Sequence, residues 1–239
     1  MFMSNLGFRI FSKINRPSAE LVKKFENVPV ANLDDCMGRI AAVDSGIKSI
    51  NGVKMVGVAF TVKAPAGDNL MLHKALDMAQ EGDIIVVQSD GVIDRALAGE
   101  IMMKYAITKG IKGFVLDGLI RDVETAQELD FGVYARGVSP NGPYKNGPGE
   151  INVPVSVGGQ IINPGDILCC DLDGIVAFRE ADAEALYEKV EAVHKTEATF
   201  MEQIAKGEWD RAWVDQTLKD KQCEVIEASF NEYSRLKVK

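Results

Sequence analysis

The sequence predicts an α/β fold with a mixed central sheet and a C-terminal helical extension, on three observations. From Gly52 onward, runs of near-continuous or alternating apolar residues read as strands. Helical patterns separate the early runs but not the late ones, which gives a βαβαβ progression followed by a β-only stretch. After Ala181 the apolar period becomes helical and stays so. The 239 residues suit one domain with an appendage. We read a single domain over 1–239, with a core of about 30–180 and an extension over 181–239.

Pro17 to Phe25 begins as a helix, with Pro near the first turn and Leu21, Val22 and Phe25 at helical spacing. Asn32 to Ile40 is a second short one. The strands are VKMVGVAFTVKA after Gly52, then the runs beginning at Asp83, Gly113, Val133, Val153, Asp166 and Gly174. Between them, Leu70 to Gln80, Ala96 to Lys109 and Val123 to Leu129 are helical. Ser139 to Glu150 (SPNGPYKNGPGE) is too rich in Pro, Gly and Asn for a regular element and predicts a long loop, a common carrier of function. Asp171 to Gly174 holds an Asp-Gly hairpin signal. The tripeptide Gly-Asp-Ile occurs at Gly82 and again at Gly165, each time launching a strand. Ala181 to Lys206 predicts one helix of about 26 residues, roughly 39 Å long. Its apolar stripe of Leu186, Val190, Val193, Phe200, Met201 and Ile204 also contains Glu197, a carboxylate that needs a partner if buried. Trp209 to Lys239 predicts a mostly helical tail.

Composition narrows the function. A net charge of −8 disfavours nucleic acid as a direct ligand, because that affinity comes from Lys and Arg on phosphates. No apolar run approaches a membrane span, and polar residues interrupt the first stretch before a signal-like segment forms, so a cytoplasmic protein with no membrane partner is expected. Four cysteines show no CxxC spacing, and the neighbours Cys169 and Cys170 fall in a strand that sends them to opposite faces. With only His73 and His194 present, any metal would be a hard ion on carboxylates.

The densest chemical signal is Gly99-Glu100, twenty residues, then Arg121-Asp122. In a βαβ unit the helix start and the turn after the next strand share the carboxyl edge of the sheet, where ligands of open α/β sheets bind. There the N–H groups of Glu100, Ile101 and Met102, with Gly99 letting a ligand approach, offer a site for a substrate carboxylate. Arg121 supplies a fork for a carbonyl or enolate oxygen, and Asp122 a ligand for a divalent cation. The spacing leaves a second reading open, in which Asp122 caps the helix from Val123 and Arg121 pairs with a surface acid.

The combination of Pro65-Ala-Gly-Asp-Asn69, Gly82-Asp-Ile, Gly99-Glu100 with Arg121-Asp122 inside VLDGLIRD, and Asp171-Leu-Asp-Gly-Ile-Val resembles the 4-hydroxy-4-methyl-2-oxoglutarate / 4-carboxy-4-hydroxy-2-oxoadipate aldolase family, over roughly Asn32 to Ile204. That family shares its fold with the regulator of ribonuclease activity A. The resemblance implies a swivelling β/β/α domain and a class II pyruvate aldolase using Mg2+ or Mn2+, with oxaloacetate decarboxylation through the same pyruvate enolate. It implies a homotrimer or homohexamer in which Glu197 completes a neighbouring subunit's site. It assigns catalysis to Arg121 and Glu100, the metal to Asp122, Glu100 and Glu197, and a 2-oxo acid to Gly99, Glu100, Ile101, Met102 and Arg121. The family's usual Asp stands as Glu100 here.

The competing function is that of a non-catalytic regulator binding an endoribonuclease. The regulators of this resemblance lack the Asp of the Arg-Asp pair and the long helical extension, both present here. A quinone methyltransferase has no support, since no glycine-rich nucleotide loop follows a first strand. Asp68 and Asn69 read as caps of the Leu70 helix, with polar groups of the site loop as the alternative. His73 reads as a packed, hydrogen-bonded histidine with a catalytic one as the alternative, and Lys145 as a solvated loop residue with a carboxylate ligand as its alternative. A Schiff-base mechanism is disfavoured because no lysine lies within an apolar run.

Overall fold

A computed structural model describes residues 5–91 and 94–236. Its elements in chain order are β1 (Phe8–Ile10), α1 (Ala19–Lys23), α2 (Val30–Cys36), β2 (Lys48–Ser49), β3 (Met55–Lys63), α3 (Leu70–Met78), β4 (Asp83–Gln88), β5 (Ala96–Ala98), α4 (Glu100–Thr108) and β6 (Gly113–Ile120). There follow α5 (Val123–Glu128), β7 (Gly132–Val138), β8 (Gly149–Ile151), β9 (Val155–Val157), β10 (Gln160–Ile162), β11 (Ile167–Cys170), β12 (Ile175–Phe178), α6 (Glu180–Lys206), α7 (Ala212–Asp220) and α8 (Phe230–Leu236). The sheet runs β1-β8-β3-β4-β6-β7-β2, with β11 on β3, β12 on β11 and β5 on β6. Strands β3, β4, β6 and β7 are parallel, and β11 and β12 are antiparallel. This is the mixed sheet the sequence predicts.

Alternation along β4 shows how the sheet divides two cores. Ile85 and Val87 face α3 and α4 with Phe60, Leu72, Met103 and Phe114. Ile84 and Val86 face the opposite side with Val115, Tyr134, Val155 and Ile162. Strand β6 is buried at all its positions, as a central parallel strand covered on both faces must be. A third core lies between β11 and β12 and α1, α2 and α6, where Phe25, Leu33, Val176 and Leu186 meet. Cys169 belongs to this third core and Cys170 to the second, so the adjacent pair does point to opposite faces.

The two Gly-Asp-Ile turns are structurally alike. Asp83 accepts from the N–H of Gln80 and Asp166 from that of Asn163, each three residues back. The strands they launch flank β3 on either side and meet at Val58. Asp83, fully buried, also receives Arg16 through a bidentate pair of 2.9 and 2.8 Å, which fastens the N-terminal segment to the sheet.

The second helix spans Val30–Cys36 where the sequence predicts Asn32 to Ile40, β8 takes Gly149 and Glu150 from the expected loop, and the largest departure lies before Lys109. Ala96 to Lys109 is not a single helix: Ala96–Ala98 forms β5 against Leu119 and Ile120, and the helix starts at Glu100. The strand pairing buries all three residues, which outweighs the helical propensity of Ala-Leu-Ala. The short strands β1, β2, β8 and β10 carry too few residues for a periodic signal and escape the sequence reading.

The chain divides into two compact units, 1–192 and 193–239, at a point within α6. The buried residues of α6 are Ala183, Leu186 and Val190, while Phe200, Met201 and Ile204 are exposed, so the predicted stripe is covered only in its first half. In the second unit Phe200 packs on Trp209, and Arg211 lies over the Trp209 ring. Residues 237–239 of the predicted tail lie outside the described residues. No helix among the described residues is long and apolar enough to cross a membrane.

Breaking one side of a buried ion pair strands the other charge. Arg16→Met should therefore cost about 3 kcal/mol in a urea titration, and Asp83→Asn added to it should recover part of the loss.

Candidate active site

The site forms where β6 ends. Arg121 donates its backbone N–H to the Ala98 carbonyl (3.0 Å), which joins the end of β6 to the end of β5. Asp122 then takes a left-handed conformation (φ 59, ψ 45), which Asp tolerates better than most side chains. The turn aims its carboxylate away from α5 and toward α4. Asp122 occupies the N-cap position of α5 without capping it, and its Oδ2 instead accepts the backbone N–H of Glu100 at 2.9 Å. The cap expected on α5 is thus replaced by a cap on a different helix. A carboxylate is well placed there, at the positive end of the α4 dipole.

Gly99 makes this possible through its lack of a side chain. Its backbone is extended (φ −156), so handedness is no constraint. A Cβ at that position would strike the Asp122 carboxylate and come within 3.0 Å of Arg121 Cγ. Arg121 Nε lies 3.6 Å from Asp122 Oδ2, and both side chains are half-exposed. On one side they border a pocket of about 170 Å³ lined also by Asn69, His73, Ile101, Met102, Pro143 and Lys145. On the other they border a shallow cleft with Val123, Val138 and Pro140.

Gly99, the Glu100 backbone, Arg121 and Asp122 do converge as their spacing predicts. The anion site read from three N–H groups is narrower than expected. Glu100 N–H is taken by Asp122 and Met102 N–H by the Gly99 carbonyl (3.0 Å), which leaves Ile101 N–H of the three. The Glu100 side chain departs further from its predicted role. It sits on the exposed face of α4, one turn from Lys104, and pairs with that ammonium at 2.5 Å, which holds its carboxyl below the usual carboxylate range. It does not line the pocket. The Ile101 side chain is exposed at the rim, and Met102 is buried beneath. Glu197 is exposed on α6, within the second unit.

Asn69, His73 and Lys145 join the site, residues the sequence reading assigned to capping, packing and solvent. Asn69 is buried; its Nδ2 donates to the Leu97 carbonyl (2.8 Å) and contacts Met102 Sδ (3.5 Å), while its Oδ1 has no donor among the described residues. Partial desolvation on the pocket wall, helped by the charge of Lys145, pushes the His73 imidazole below its ordinary range. The sequence signal for these three was the polar Asp-Asn pair before α3 and the unusual loop from Ser139.

Among the described residues no three His, Cys, Asp or Glu side chains lie close enough to share an ion. Asp122 is the one described carboxylate lining the pocket. It fits a magnesium-like ion that keeps most of its waters and needs one or two carboxylates. It does not supply a closed cage, and Glu100, expected beside it as a metal ligand, turns its carboxylate to Lys104 instead.

The sequence profile described as Aldolase/RraA, of the RraA-like group, matches residues 30–177, and the chain belongs to that family. A relative from Halalkalibacterium halodurans, provisionally named a 4-hydroxy-4-methyl-2-oxoglutarate aldolase, is 36% identical over 177 residues, covering 74% of this chain and 84% of its own. Among solved structures, Streptomyces coelicolor RraAS2, described as an unusual member of the RNase ES inhibitor RraA family, superposes with a TM-score of 0.70 at 27% identity. That match covers 78% of this chain and 98% of RraAS2. The RNA-processing inhibitor RraA from Thermus thermophilis gives 0.60 at 30% identity, over 64% and 94%.

The contact between Gly99 and Asp122 can be measured. Gly99→Ala should destabilise by about 1–3 kcal/mol through overpacking, and Asp122→Ala by about 1 through loss of the cap. The double variant should fall short of the sum in chemical denaturation, because the removed carboxylate is what the new methyl strikes.

Proposed function

We propose that this protein is a carbon–carbon lyase that forms the enolate of pyruvate from 4-hydroxy-2-oxo acids such as 4-hydroxy-4-methyl-2-oxoglutarate, and from oxaloacetate. The observation that carries this reading is the seating of Arg121 and Asp122 together at the start of α4, on the wall of a pocket sized for a small acid. Membership of a family with aldolase-named relatives supports it.

The substrate carboxylate and 2-oxo oxygen face Ile101 N–H and the Arg121 guanidinium. When the carbinol proton leaves to a carboxylate of the site or to water, the C3–C4 bond breaks. Its electron pair moves toward the 2-oxo oxygen as the enolate, and the released half departs as a carbonyl compound. Arg121 holds the negative charge that develops there. In oxaloacetate, carbon dioxide leaves from C3 and the same enolate results. Protonation at C3 gives pyruvate in both cases. Asp122 is the residue that would hold Mg2+ or Mn2+, which when bound supplies Lewis-acid stabilisation of that charge. Lys145, which lines the same pocket, is the cation that attracts a carboxylate on the departing half. We place the protein in the cytoplasm, as a homotrimer or homohexamer, with Glu197 directed to a neighbouring subunit's site.

Likeness to structures described as RNA-processing inhibitors favours one alternative, a regulator that binds an endoribonuclease. Pyruvate release from a panel of 4-hydroxy-2-oxo acids and oxaloacetate separates the two, and no release from any of them would sink the lyase. Activity should vanish on chelation and dialysis and return with Mg2+ or Mn2+. Arg121→Lys should lose about 10²–10³ in turnover while staying folded, since an ammonium keeps the charge but not the fork.

The proposed assembly has its own check. Glu197→Ala and Arg121→Ala proteins, each inactive, should regain part of the activity when co-assembled, because some mixed sites would hold both native residues. Mixed oligomers with no recovery would remove Glu197 from the site.

A further inference from the structure

The loop from Ser139 to Pro148 contains almost no regular structure, so fixing its path carries a large entropic cost that identifiable contacts must offset. One set of contacts comes from the segment before β5. Ala96 N–H donates to the Asn141 carbonyl (2.9 Å), Arg95 Nη1 donates to the Gly142 carbonyl (2.9 Å), and the Arg95 guanidinium lies 4.1 Å above the Tyr144 ring. The other comes from the turn before α3. Tyr144 N–H donates to the Gly67 carbonyl (2.8 Å), and Asn69 N–H to the Tyr144 carbonyl (3.0 Å).

The Asp68 carboxylate completes the second set. It is almost wholly buried and accepts three backbone N–H groups: Leu70 (2.9 Å) on Oδ1, with Asn146 (2.6 Å) and Gly147 (3.0 Å) on Oδ2. The first starts α3, and the other two belong to the loop. Lys145 stands between Tyr144 and Asn146, so it is held to the 67–69 turn on both sides. Its side chain reaches the pocket that Arg121 and Asp122 border, and it makes no ion pair among the described residues. Asp68 itself does not line that pocket.

We propose that Asp68 is a positioning residue: its buried carboxylate clasps the loop so that Lys145 stands over the pocket and binds a carboxylate on the departing half of the substrate. This rests on the lyase reading above. Asp68 thereby sets a preference for diacids over acids whose departing half is uncharged, and takes no part in bond cleavage. An uncompensated loss of buried carboxylate acceptors leaves loop N–H groups unpaired, which frees the loop while the sheet beneath stays intact.

The test uses the full-length protein and Asp68→Asn, which keeps the shape but replaces one of the two acceptor oxygens with a donor and removes the charge. Amide exchange at Asn146 and Gly147 should rise by about tenfold or more with the global unfolding midpoint little changed. The KM for 4-hydroxy-4-methyl-2-oxoglutarate should rise about tenfold more than that for 4-hydroxy-2-oxopentanoate, with kcat much less affected, the signature of lost ground-state binding. Lys145→Met, on an exposed part of the loop, should show the same separation, and it carries the test if Asp68→Asn does not fold. Unchanged exchange in Asp68→Asn, equal KM shifts for both acids, or a loss in kcat alone overturns the inference. A wild-type protein that cleaves neither acid overturns the lyase reading and this inference with it, an outcome distinct from an active wild type whose variants fail to separate the acids.

Discussion

The hydrogen bond from Glu100 N–H to the Asp122 carboxylate is the constraint around which the site is arranged. It spans the gap between the end of one strand and the start of a helix that precedes that strand in the chain. With the pairing of β5 on β6 and the bond from Arg121 N–H to Ala98, it fixes Arg121 against the first turn of α4. The same device recurs at the other end of the fold. Helix α2 begins at Pro29 without a side-chain cap, and the buried Asp171 after β11 accepts the N–H of Val30 at 3.0 Å. In both places an acidic residue beyond a strand caps a distant helix, so strand and helix are tied by charge where packing alone would allow them to slide.

The elements that were legible in the sequence are those with a strong period. β3, β4 and β6 are apolar because both faces are covered, and α3 and α6 alternate because one face is. The convergence of Gly99, Glu100, Arg121 and Asp122 was also legible, since it follows from the right-handed βαβ crossover. Which atom of Glu100 takes part was not. Its neighbour Lys104 one turn away offers the side chain a partner, so only the backbone of Glu100 faces Asp122. The Ala96–Ala98 strand was illegible for a related reason, because its pairing partner lies beyond α4 in the sequence.

The meeting of Asp68, Asn69 and Lys145 lies beyond local reading for a different cause. Each is of a type that ordinarily caps or solvates, and their meeting depends on a loop whose path is set by contacts far apart in the chain. Composition showed that the segment from Ser139 could not be a helix or strand. It could not show what the segment leans on.

The placement of Cys169 and Cys170 on opposite faces of β11 has a chemical consequence. Both thiols are sealed within separate cores, and burial pushes each of them up, away from the thiolate that reacts with oxidants and alkylating reagents. Strand β11, which binds β3 on one side and β12 on the other, therefore holds two thiols of low reactivity. Any modification of those two sulfurs reports that the sheet has opened, which makes the pair a built-in chemical probe of the integrity of the fold.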